Sequence, residues 1–316
     1  MKMVVLDGFA LNPGDLSWEK FEQLGELIVY DRSSEKQILE RAKDAQILLT
    51  NKTVLNREIL SQLSSLLYIG VLATGVNVVD TEYAAEKGIV VTSVRNYSGL
   101  SAAQMVFALL LELTNRVGHH SETVNDGKWS KSEDFCYWDY PLVELDGLTM
   151  GVVGYGGIGQ AVAGMSRAFG MKVLINTRRK PDNLMDGVEY TDLDSLFKNS
   201  DVITLLCPLT PETKGMINQS SLGKMKTSSF LINISRGALI IEEDLAVALN
   251  NDQIAGAALD VLKSEPADPN CPLLGAKNCY ITPHIAWATR ASRNRLMDLA
   301  IENLQAFLDR VPQNTA

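Results

Sequence analysis

Three residues in the last third of the chain have side chains suited to acid–base work on a carbonyl compound: Arg236, Glu265 and His284. An arginine offers a planar fork that can hold a carboxylate and polarise a neighbouring carbonyl. A histidine titrates near neutrality and so can give or take a proton. A glutamate beside it favours the charged imidazole. Taken singly, they also fit a surface cation, a solvated loop acid and a structural imidazole. Together they follow three consecutive apolar segments that read as strands, Phe230–Ile234, Ala255–Asp260 and Cys279–Thr282. Ligands of parallel α/β sheets bind beyond the carboxyl ends of the strands, and this order puts all three residues there. The other two histidines, His119 and His120, read as the end of a long apolar helix, where positive charge is mildly favourable, and not as catalytic.

A second constellation lies upstream. Met150–Gly154 is a short apolar strand, and Gly154-Tyr155-Gly156-Gly157-Ile158-Gly159 gives GxGxxG spacing at the start of a helix. The first glycine permits the tight turn, the second lets backbone approach a pyrophosphate, and the third lets helix and strand pack closely. The helix N-terminus stabilises the negative charge. The next strand, Lys172–Asn176, ends about 20 residues on, where an NAD site places an acid for the ribose 2′-hydroxyl. Here the residues are Thr177-Arg178-Arg179-Lys180, with no carboxylate and two guanidiniums. Arginine suits a 2′-phosphate, so the reading leans to NADP over NAD.

These residues need a scaffold, and the rest of the chain supplies one. A length of 316 residues is enough for about two domains. The first hundred residues alternate strand candidates (Met3–Leu6, Leu27–Tyr30, Gln46–Leu49, Leu67–Val71, Ile89–Thr92) with amphipathic helices. From Met150 the alternation resumes through six strands, adding Val202–Leu206 to those already named. Such alternation predicts parallel sheets with crossover helices. Ser101–Val117 reads as a helix apolar on most of its circumference, to be buried on several sides. An aromatic-rich, irregular stretch over 118–146 follows and reads as a packed loop or a dimer arm. Arg290–Val311 reads as a terminal amphipathic helix crossing back to the first domain.

Composition narrows the function classes. A net charge of −9 gives no reason to expect nucleic acid or an anionic membrane. No apolar run reaches the roughly 18–20 residues of a membrane span, and the first residues read as a strand and not a signal peptide. The 4 cysteines lack metal-ligand spacing and read as free thiols of a cytoplasmic protein, and 3 histidines are too few for a histidine-rich metal site.

The motifs carry a family resemblance over essentially the whole length. The segments are the glycine turn at 154–159, Pro208-Leu209-Thr210-Pro211-Glu212-Thr213, Asn233-Ile234-Ser235-Arg236-Gly237-Ala238, Leu259-Asp260-Val261 with Glu265-Pro266, and Thr282-Pro283-His284-Ile285-Ala286. In these the chain resembles the D-isomer-specific 2-hydroxyacid dehydrogenases, and its 72–77 and 284–288 segments resemble the glycerate dehydrogenase (hydroxypyruvate reductase) branch. The resemblance implies a Rossmann coenzyme domain, 99–286, inserted into a flavodoxin-like catalytic domain, 1–98 with 287–316. Each would be a parallel sheet with helices on both faces. It implies reduction of a small 2-oxo acid, hydroxypyruvate or glyoxylate, to the D-2-hydroxy acid with NAD(P)H.

By the same resemblance Arg236, Glu265 and His284 form the catalytic set. Coenzyme contacts would come from Gly154, Gly156, Gly157, Ile158, Gly159, Thr177, Arg178, Arg179, Cys207, Pro208, Thr213, Ile234, Ser235, Asp260 and Ala286. Substrate contacts would come from Ala73, Thr74, Gly75 and Trp287 together with Arg236 and His284. Asp260 would meet the nicotinamide amide. A homodimer is expected, with Trp138 reaching the neighbour's site. Two alternatives stay open: another D-2-hydroxyacid specificity, of the lactate or phosphoglycerate type, and a dinucleotide-sensing corepressor. A formate dehydrogenase of this fold carries Gln where this chain has Glu265, so that reading is disfavoured.

Overall fold

The computed structural model describes residues 1–316. It divides into two compact units, Met1–Ser98 with Trp287–Ala316, and Gly99–Ala286, so the chain passes from one to the other and back.

In the first unit β1 (Lys2–Val5), β2 (Glu26–Val29), β3 (Ile47–Thr50), β4 (Tyr68–Val71) and β5 (Val90–Ser93) form a parallel sheet in the order β2-β1-β3-β4-β5. This is the flavodoxin-like order. Side chains alternate across the sheet, and both faces are apolar. Val4, Leu48, Ile69 and Val91 pack against Ile38 and Ala42 of helix Glu35–Ala42 and Tyr83 and Ala84 of helix Thr81–Glu86. Met3, Val5, Ile47, Leu49 and Tyr68 pack against Leu296, Met297, Ala300 and Leu304 of the terminal helix Arg290–Leu308. Local chemistry starts these helices. Ser34 and Gln37 form a capping box, and Asp80 accepts the Tyr83 N–H at 2.9 Å. Arg293 ties the terminal helix down through two contacts of 2.7 Å to Asp15.

The second unit holds seven parallel strands: β6 (Thr149–Val153), β7 (Lys172–Asn176), β8 (Val188–Tyr190), β9 (Val202–Leu205), β10 (Phe230–Asn233), β11 (Gly256–Leu259) and β12 (Cys279–Ile281). Their order is β12-β11-β10-β9-β6-β7-β8. The order reverses between β6 and β9, which is where a doubly wound sheet opens its ligand crevice. The sequence predicts six of these strands and misses β8, whose three residues carry an exposed Glu189 at the centre of the edge strand.

The apolar helix also departs from expectation. It spans Gly99–Asn115 and is followed by Arg116 at φ 53° and by a second helix, Val117–Asn125. Arg116 breaks the run because its guanidinium is tied elsewhere, to Asn278 Oδ1 at 2.9 Å and the Tyr280 hydroxyl at 2.5 Å. His119 and His120 therefore stand in the first turn of the second helix and do not end the first. Part of the stretch expected to be irregular, Val117–Asn125, is thus helical. The apolar circumference of Gly99–Asn115 is largely consumed within its own unit: Ala103, Val106, Leu110 and Leu113 are buried with Met150, Val162 and Ile232. Leu100 at its start is exposed, and a run of exposed apolar side chains follows beyond it, at Val117, Trp129, Phe135, Trp138 and Leu142. No helix is long and apolar enough to cross a membrane.

Candidate active site

The glycine turn shows why each glycine stands where it does. A Cβ on Gly154, whose φ is +103°, would lie 2.7 Å from the Cys207 nitrogen and 2.8 Å from the Leu206 oxygen. The end of β6 thus abuts the end of β9 and brings Cys207 and Pro208 beside the turn. A Cβ on Gly159 would lie 2.2 Å from the Gly154 oxygen, so only glycine lets helix Gly157–Ala168 sit this close. Gly156 and Gly157 are different: a Cβ there would meet nothing within 4 Å. Their backbone faces open space, and the N–H groups of the helix's first turn, Gly157 and Ile158, have no intrahelical acceptor. An open backbone cradle at a helix N-terminus fits a pyrophosphate.

At the end of β7, the Asn176 carbonyl accepts the Gly154 N–H at 2.8 Å and the Asn176 side chain donates to the Thr191 carbonyl at 2.9 Å. Thr177 is half-buried, and Arg178 and Arg179 are exposed. Neither arginine takes part in an ion pair closer than 4.0 Å. Glu212, in the loop after β9, is held below the usual carboxylate range by Thr210, with a smaller contribution from Arg178. In that loop the Thr213 hydroxyl donates to the Pro208 carbonyl at 2.8 Å and accepts from the Thr210 N–H at 2.8 Å.

The acid–base pair is formed. His284 Nδ1 lies 2.7 Å from Glu265 Oε2. The imidazole is set by an unusual backbone, with φ 54° at His284, a region costly for a residue with a Cβ. Asp260 enforces it. This carboxylate follows β11 and is fully buried. Its Oδ1 accepts from the Thr282 hydroxyl at 2.6 Å and the Ile285 N–H at 2.9 Å, and its Oδ2 accepts the Ala286 N–H at 2.8 Å. Hydrogen bonds to a charged acceptor contribute about 1.5–3 kcal/mol each, enough to offset a strained dihedral of about 1–3 kcal/mol. Asp260 and Ala286, both expected at the coenzyme, also bond to each other, and the buried Asp260 carboxyl braces the His284 turn.

Arg236 is placed by its neighbours. Asn233, buried at the end of β10, accepts the Ser235 N–H at 3.0 Å and donates to the Arg236 carbonyl at 2.9 Å. The Arg236 guanidinium is exposed and donates to the Ser235 carbonyl at 2.7 Å. Ile234, which precedes this turn, is buried in the core. A Cβ on Gly237 would lie 2.0 Å from the Leu262 carbonyl carbon, so the loops after β10 and β11 touch backbone to backbone. Glu265 Oε1 accepts the Leu262 N–H at 3.3 Å. The loop of Arg236 therefore packs on the loop of Glu265, which bonds to His284. The sequence reading misses the side chains of Asn233 and Thr282. An Asn closing a strand ahead of a tight turn is the available signal for the first.

The first unit carries the other expected residues. The Ala73–Gly75 loop follows β4. The Ala73 carbonyl accepts the Val94 N–H at 3.0 Å, and the Thr74 hydroxyl donates to the Val94 carbonyl at 3.0 Å. The Ala73, Thr74 and Gly75 N–H groups donate to no protein carbonyl, which suits an anion. Asp7 accepts from the N–H groups of Asn51, Lys52 and Thr53 at 2.6–2.8 Å, and Asn51 donates to the Leu72 carbonyl at 2.7 Å, bracing the base of that loop. Trp287 packs at the edge of the core that holds the terminal helix.

Comparison with known proteins places this arrangement. Residues 107–286 match the D-isomer specific 2-hydroxyacid dehydrogenase, NAD binding domain. The chain is 50% identical over 318 residues to a hydroxypyruvate reductase of Blautia hydrogenotrophica, with 99% of each covered. It is 38% identical over 316 residues to a glycerate dehydrogenase of Methylorubrum extorquens, covering 99% of this chain and 98% of the relative. Among solved structures, a protein of Thermus thermophilus superposes over 100% of both chains with a TM-score of 0.87 and 34% identity. The chain belongs to the D-isomer specific 2-hydroxyacid dehydrogenase family, and its coenzyme class is NAD(P).

Proposed function

We propose that the protein reduces hydroxypyruvate, and glyoxylate as a smaller alternative, to D-glycerate and glycolate, with NADPH preferred over NADH. The observation that carries the reading is the His284–Glu265 pair at 2.7 Å, built on the strand ends of the same sheet that holds the glycine turn. A bound reduced nicotinamide supplies the hydride. His284, oriented through Nδ1 by Glu265, gives a proton from Nε2 to the carbonyl oxygen, and takes it back in the reverse direction. Arg236 holds the 2-oxo acid by its carboxylate and carbonyl oxygen. The N–H groups of Ala73, Thr74 and Gly75 take part in holding the same carboxylate, and Trp287 lines the substrate. Gly156, Gly157 and Ile158 carry the pyrophosphate, while Cys207, Pro208, Thr213, Ile234 and Ser235 line the coenzyme. The preference for hydroxypyruvate is supported by likeness to relatives named for it.

The preference for NADPH rests on Arg178 and Arg179, exposed and outside any ion pair, and on Thr177 standing where an acid would select NAD. The four cysteines are free thiols, in keeping with a reducing cytoplasm. A homodimer completes the reading. The exposed aromatic stretch after Asn125 lines a groove of about 560 Å³ together with Val117 and Val124, and Trp138 lies in it.

The test is a panel of hydroxypyruvate, glyoxylate, pyruvate and bulkier 2-oxo acids, each with NADH and NADPH. We expect the highest kcat/KM for hydroxypyruvate with NADPH. Replacing Arg178 and Arg179 by neutral residues should raise KM for NADPH and leave NADH little changed. Coenzyme binding without turnover of any 2-oxo acid would overturn the reading in favour of a dinucleotide sensor.

A further inference from the structure

Between β11 and β12 the segment Lys263–Asn270 is exposed at every residue, yet it carries Glu265. An exposed loop orders a side chain only if something fixes its ends. Within the segment the hydrogen bonds are short-range: the Asn270 N–H and the Cys271 N–H both return to Asp268, and the Ser264 hydroxyl to the Pro266 carbonyl. Both ends meet one carboxylate. Glu242 Oε1 accepts the Lys263 N–H at 2.7 Å, and Glu242 Oε2 accepts from the Cys271 thiol at 3.6 Å.

Glu242 is the buried member of the acidic run Glu242, Glu243 and Asp244 that opens helix Glu242–Asn250. A buried carboxylate is costly unless hydrogen-bonded, and these two donors, from opposite ends of the segment, satisfy it. Burial, and then the Glu242 carboxylate itself, push the Cys271 thiol up, so the thiol keeps its proton and remains a donor.

We propose that Glu242 is a positioning residue for the reaction: by closing the Lys263–Cys271 segment at both ends it sets Glu265 against His284. The inference rests on the reading that His284 is the proton donor and Glu265, 2.7 Å from its Nδ1, its partner. The ionisable groups of the loops and helix that meet here are Glu242, Glu243, Asp244, Asp260, Glu265, Asp268 and Cys271, with Lys263, Arg236 and His284.

The experiment compares pH profiles of kcat/KM for reduction by the full-length enzyme. The rate falls at alkaline pH as the proton donor is lost. Glu265→Gln is the reference and should move that falling limb to lower pH by about one unit or more, the effect of removing a close carboxylate. Glu242→Ala should move the limb in the same direction by about half a unit or more, with KM for the coenzyme unchanged. Glu242→Met, close to the native volume, serves in its place if the alanine variant does not fold. Glu242→Gln keeps an oxygen for the Lys263 N–H and should return the limb close to its native position. A lowered Tm with an unmoved limb in Glu242→Ala or Glu242→Met would show that Glu242 serves stability alone and overturn the proposal. An unmoved limb in Glu265→Gln would overturn the acid–base reading beneath it.

Discussion

His284 occupies a conformation that its own sequence does not favour, and a neighbour pays for it. The imidazole stands on a turn at φ 54°, held by hydrogen bonds from Thr282, Ile285 and Ala286 to the buried Asp260. The chemistry of His284 was legible in the residue types and in their place after consecutive strands. The device that aims it was not: Asp260 and Thr282 stand in the motifs, but the bonds that join Asp260 to the turn span 22, 25 and 26 positions and no local pattern announces them. Its effect can be measured. His284→Ala should lower kcat by about 10²–10⁴-fold, the range of a positioned general acid. Thr282→Val removes one of the bonds to Asp260 while nearly keeping shape. We expect a kcat loss of about tenfold, with Thr282→Ser restoring most of it. A Thr282→Val enzyme with native kcat would show that the two backbone bonds suffice to hold the turn.

At the scale of elements, strands such as β3, β4, β9 and β10 were readable because burial on both faces makes them continuous apolar runs. The failures have the opposite cause. β8 is a three-residue edge strand with a glutamate at its centre, too short to show a period. The break at Arg116 is set by Asn278 and Tyr280, which stand 162 and 164 positions away in the chain. No local window contains that information.

The contact between loops at Gly237 is of the same non-local kind, and it joins the Arg236 loop to the loop of Glu265. Gly237→Ala would place a methyl 2.0 Å from the Leu262 carbonyl carbon, against backbone that has no rotamer to yield. We expect a stability loss of about 1–3 kcal/mol, seen as a lowered Tm, and a lower kcat/KM at temperatures where the variant remains folded. Ala238→Gly, one residue on, serves as the control for a general effect of substitution in this turn. Native Tm and activity in Gly237→Ala would mean that the two loops separate at no cost and are not coupled.

At the scale of the molecule, the surface is uneven. Phe135 is 89% exposed and Trp138 66%, and Val117, Trp129 and Leu142 are also more than half exposed. All belong to one continuous segment, 117–142, and four of them line the same groove of about 560 Å³. The segment is nonetheless ordered. Asp139 meets both His119, at 2.7 Å, and Lys128, and its carboxyl is held below the usual range first by Lys128 and then by His119. Arg116 stacks over the Tyr140 ring at 4.6 Å. A segment held by such contacts that presents apolar side chains to water is characteristic of an interface, and closed two-fold pairing is the commonest way for one chain to cover such a surface. We therefore expect sedimentation at micromolar concentration to give about twice the chain mass of 34.6 kDa. Phe135→Asp together with Leu142→Asp should shift the protein to monomer, since two unpaired charges in a desolvated interface oppose association. Trp138→Ala separates assembly from specificity. If the dimer persists while KM for hydroxypyruvate rises, Trp138 acts on the neighbour's substrate. If both dimer and KM are native, its role ends at the surface it covers. A monomeric native enzyme at these concentrations would refute the pairing itself.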